Sequence, residues 1–95
     1  MIVAAYAPDL ADRSRIEAAL PDVTFVKSPA DLDGLDADVV ILDLSRTPNF
    51  PSTTAPRVLG YGSHVDDELL SRARAAGIEA MPRSRFFRDI AAVIA

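Results

Sequence analysis

The sequence predicts a three-layer α/β domain built on a parallel sheet, and three observations carry that expectation. The first is Asp38-Val39-Val40-Ile41-Leu42-Asp43-Leu44, four consecutive apolar positions between two aspartates with a fifth, Leu44, just beyond. This run is too short for an ordinary helix and lacks the alternation of a half-exposed strand, so it reads as a strand buried on both faces. The second is the return of short apolar or β-branched runs with helical patterns between them. The third is size: 95 residues, 49% hydrophobic and 25% charged, suit one soluble domain with a single core.

Taken in order, residues 2–7 form an apolar run closed by Pro8, the expected first strand. Asp9 is a good N-cap for a helix over residues 9–20, which carries acids in its first turn and stops before Pro21. Val23-Thr24-Phe25-Val26 is β-branched and aromatic and gives a second strand. Ser28 before Pro29 then caps a helix that Gly34 ends almost at once. The central strand follows, with Asp43 at its carboxyl end, the edge of an open α/β sheet where ligands bind.

Residues 45–56 contain three prolines and a Ser/Thr run, which argue against a regular helix. The next strand, residues 57–61, is expected to run parallel to the last, and parallel crossovers take roughly a dozen residues or more. Twelve extended residues suffice, with Phe50 as an apolar plug against the sheet. Ser63 caps an expected helix in which Val65, Leu69, Leu70, Ala73 and Ala76 recur at helical spacing until Gly77. Residues 78–81 make a fifth strand, and Ser84 caps a last helix burying Phe86, Phe87, Ile90, Val93 and Ile94.

Several functional classes are disfavoured by composition. No apolar run approaches the ~20 residues of a membrane span, and the amino terminus lacks a basic leader, so the expectation is a cytoplasmic protein. No cysteine and one histidine leave no basis for a zinc site. A net charge of −4 opposes broad contact with nucleic acid.

With this order in place, the chain resembles the receiver domain of bacterial two-component response regulators, whose sheet has the flavodoxin-like order 2-1-3-4-5. Residues 37–44 look like the family's third strand, ending in its phosphoacceptor aspartate, which matches Asp43. A second likeness runs from Arg57 through Gly77 to Phe86. The resemblance also shows departures. The acidic pair that holds magnesium at the end of the first strand is reduced to Asp9 beside Pro8. The switch hydroxyl falls at Gly62 or Ser63, and the phosphate-contacting lysine is replaced near Arg83 or Ser84. The short segment after Asp43 implies a third helix given over to a Pro-rich loop.

The site residues follow. Asp9 and Asp43 end neighbouring strands and are candidates to share one hard cation such as Mg²⁺, against the simpler reading of Asp9 as a helix cap. No cofactor is firmly required. Arg46, Ser63, Arg83 and Arg85 are candidates to surround an anion, against the reading of arginines paired on the surface. His64 reads as an exposed first-turn residue. The expectation is a non-enzymatic, receiver-like signalling or protein-interaction module without phosphotransfer. A short second helix and an absent third leave one sheet face thinly covered, the expected surface for a protein partner or homodimer. Two alternatives stay open: an active receiver phosphorylated on Asp43 with Mg²⁺, and a sensor of a small anion or nucleotide.

Overall fold

The apolar run around Val40 becomes β3, Val39–Asp43, the middle of five parallel strands and buried at every position. The computed structural model describes residues 1–95. Its strands are β1 Val3–Tyr6, β2 Thr24–Phe25, β3, β4 Arg57–Gly62 and β5 Glu79–Pro82, in spatial order 2-1-3-4-5. Register follows directly from the parallel pairing: Ala5 lies beside Ile41, and Asp43 beside Tyr61. Four α-helices accompany them, α1 Leu10–Ala19, α2 Asp67–Ala75, α3 Arg83–Arg88 and α4 Ile90–Ile94, with 3₁₀ turns at Pro29–Leu32 and Leu44–Arg46.

Strand alternation divides the core in two. On one face Val3, Ala5, Ile41, Leu59 and Tyr61 meet Ile16 of α1, Phe86 of α3 and Ile90 and Ile94 of α4. On the other, Ala4, Val40, Leu42 and Ala80 meet Leu32, Leu70 and Ala73. No helix is long and apolar enough to cross a membrane.

Residues 47–56 contain no helix. The chain turns through the 3₁₀ segment, anchored by the Thr47 hydroxyl donating to the Asp43 carbonyl at 2.7 Å, and then continues as irregular chain. Phe50 packs there as the expected plug, with the Arg72 guanidinium 5.5 Å from its ring centroid. This face is closed more fully than its short helices suggest: Ala4, Val40 and Leu42 are wholly buried, because Leu35, Phe50 and Ala55 reach over the sheet from irregular chain. What stays open is a cleft of about 450 Å³ between Phe50 and Ile78.

Two helix starts differ from the sequence expectation. Asp66, not Ser63, caps α2, accepting the Leu69 amide at 3.1 Å, and Val65 stands exposed before the helix. Ser84 is likewise not a cap: α3 begins at Arg83, directly behind Pro82, with no side-chain cap. The single long final helix is broken at Asp89, whose carboxylate accepts the Ala92 amide at 3.1 Å and starts α4. A short acidic side chain competes for backbone donors in this way and ends one helix by capping the next.

Candidate functional site

The carboxyl edge of the sheet gathers Asp43, Tyr61 and Arg83 from the ends of β3, β4 and β5, and α1 adds Asp12 from the first turn after β1. Asp43 and Tyr61 are register partners whose side chains share the face covered by α1 and α3. Asp43 is buried, and its Oδ1 accepts the Ser45 amide at 3.2 Å across the 3₁₀ turn. Burial first, and the charge of Asp12 second, push its carboxyl above the usual aspartate range; the Ser45 bond, Arg46 and Arg83 act in the opposite sense.

Asp12 is the acid that sequence reasoning did not single out, and it is 2% exposed. Its carboxylate is engaged on both oxygens: Oδ1 accepts Arg83 Nη2 at 2.6 Å, and Oδ2 accepts Arg83 Nη1 at 3.1 Å and the Tyr61 hydroxyl at 3.2 Å. The two guanidinium bonds make a bidentate, charge-assisted pair. Burial also raises the Tyr61 hydroxyl well above its ordinary range, with Asp43 and Asp12 adding to the effect, so the phenol stays a donor. The Arg83 guanidinium lies 5.4 Å from the centroid of Tyr61, whose ring stacks on Phe86 at 5.0 Å. A signal for Asp12 existed in its spacing: it sits four residues before Ile16, the buried position of α1, and so on the helix face turned to the core.

The other expected site residues are placed as follows. Asp9 caps α1, its Oδ1 accepting the amides of Ala11 at 2.9 Å and Asp12 at 3.1 Å, so its carboxylate serves the helix. The acid whose charge acts on Asp43 is Asp12, one turn further on. No group of three or more acidic or histidine side chains converges to hold a metal. Arg46 ends the 3₁₀ turn near enough for its charge to act on Asp43, and Ser63 follows β4 with its hydroxyl accepting the Val65 amide at 3.4 Å. Arg85 is exposed and makes no ion pair; His64 is exposed. Arg83 is thus the one member of the expected anion-binding set bonded to another acid of the site, through Asp12.

The edge therefore holds two neighbouring carboxylates with one guanidinium clamped on the deeper of them. Every buried side-chain nitrogen and oxygen in the molecule has a hydrogen-bond partner. Within the cluster both Asp12 oxygens are engaged, whereas Asp43 is bonded through Oδ1 alone. No family model, curated protein or solved structure matches the chain.

Proposed function

We propose that this chain is a receiver-like signalling or protein-interaction module that does not transfer phosphoryl groups. One observation carries the reading: the buried Asp12 carboxylate is occupied on both oxygens by Arg83. Phosphoryl transfer to an aspartate needs a cation to gather the nucleophile, the leaving oxygen and the equatorial oxygens. A Mg²⁺ ion at this edge would need the oxygens that the guanidinium holds, and Mg²⁺ demands near-octahedral oxygen geometry. Arg83 instead supplies a permanent internal positive charge, neutralising the edge without a metal.

Two of the expected roles change on this reading. Asp9 is a helix cap, not a metal ligand, and Arg83 is a partner of Asp12 more than a receptor for an external anion. The test is incubation with an acyl-phosphate donor and Mg²⁺ followed by intact-mass measurement. The expected spectrum shows unmodified protein. An adduct of one phosphoryl group that disappears in Asp43→Asn would restore the phosphoacceptor reading.

A further inference from the structure

We propose that the groove between α1 and the α3–α4 break docks an acidic segment of a partner protein, one in which Asp or Glu alternates with apolar residues. The groove is on the opposite side of the sheet from the Phe50 cleft and has a volume of about 430 Å³. It is a shallow, open hollow whose apolar lining comes from Ala18 of α1, Phe87 of α3 and Ile90 of α4. Arg15 and Arg88 stand on its rim, both exposed. The molecule's two ion pairs, Arg57–Glu79 and Arg83–Asp12, leave both of these guanidiniums without a carboxylate. Arg15 lies over the Phe87 ring at 5.2 Å, and so does Arg83 at 5.2 Å, which holds positive charge beside an aromatic surface. The one acid lining the groove, Asp89, is engaged as the cap of α4.

In a chain of net charge −4, two arginines without an ion pair beside apolar side chains are complementary to a segment that brings carboxylates to the arginines and an aliphatic side chain to Ala18 and Phe87. The proposal rests on the reading of the chain as an interaction module. It can fail separately, since phosphoryl labelling reads Asp43 and involves neither Arg15 nor Arg88.

The test is an amide-resolved NMR titration of the full chain with a short peptide of alternating glutamate and leucine, beside a counterpart with lysine in place of glutamate. The expected result is saturable shifts at Arg15, Ala18, Phe87, Arg88 and Ile90, weakened by salt and absent with the lysine peptide. Arg15→Gln/Arg88→Gln, both surface changes, is expected to weaken binding roughly tenfold with the spectrum otherwise unchanged. No saturation by ~1 mM peptide would overturn the proposal. So would equal binding of the lysine peptide, or shifts confined to the Phe50 cleft. Tighter binding at the same residues by phosphatidylglycerol vesicles or single-stranded DNA would replace the protein partner with that class. The chain's own loop at 31–38 carries Asp31, Asp33, Asp36 and Asp38 among Leu32, Leu35 and Ala37. Concentration-dependent shifts linking that loop to Arg15 would make a second copy the occupant and also overturn the proposal.

Discussion

Asp12 and Arg83 define the residue scale, because the pair joins a buried carboxylate to a cation that is 44% exposed. Removing the cation strands the acid. Arg83→Ala is expected to cost about 2 kcal/mol in chemical denaturation, less than the roughly 3–5 of a fully enclosed pair because water reaches the guanidinium. Arg83→Lys keeps the charge but loses the fork, so a cost of about 1 kcal/mol is expected. Asp43 provides a pH signature. Its folded-state pKa lies above its ordinary value of 3.8, so the native state keeps a proton that the unfolded chain releases, and stability falls as pH rises through the window above 3.8. Asp43→Asn keeps an oxygen for the Ser45 amide and removes the titration. It is expected to be more stable than the wild type at neutral pH, with a flatter pH dependence across that window, as read by thermal unfolding. Asp43 was legible in the sequence because it closes an unmistakable buried strand. Asp12 was not, because an acid in the first turn of a helix has a sufficient local reason to be there, and only tertiary packing shows that this one faces inward.

Elements are held by a few unusual contacts. Gly60 lets the 3₁₀ turn fold back on β4: a Cβ at that position would lie 2.7 Å from the Leu44 side chain, which is itself buried. Gly60→Ala is therefore expected to destabilise by about 1–3 kcal/mol, with part of the loss recovered in Gly60→Ala/Leu44→Val, a coupling that a double-mutant cycle measures. At the opposite edge Arg57 binds Glu79 and also donates to the carbonyls of Val93 at 3.1 Å and Ile94 at 2.7 Å, fastening the end of α4 to the sheet. Arg57→Gln is expected to speed hydrogen exchange of the α4 amides while strand β3 stays protected. The strands and α1 could be read from sequence because apolar runs and Pro boundaries act locally. The start of α2, the start of α3 and the break at Asp89 could not, because several residues offered equivalent caps and local sequence does not choose among them. How residues 47–56 cover the second face depended on side chains that only the folded structure brings together.

For the whole molecule, the five-stranded order and the division into two core clusters follow from strand alternation and short connections. The carboxyl edge of such a sheet is where an open α/β fold places chemistry, and here one of its two carboxylates, Asp12, is held by Arg83. The most direct measurement is an amide-resolved Mg²⁺ titration, followed by beryllofluoride, on the wild type and on Arg83→Ala. If Arg83 takes the place of a metal, the wild type gives no saturable shifts at Asp12 or Asp43, and the variant, with Asp12 released, gains a Mg²⁺ response there. Saturable shifts at Asp12 and Asp43 in the wild type, strengthened by beryllofluoride, would contradict internal neutralisation and reveal a working acceptor pocket.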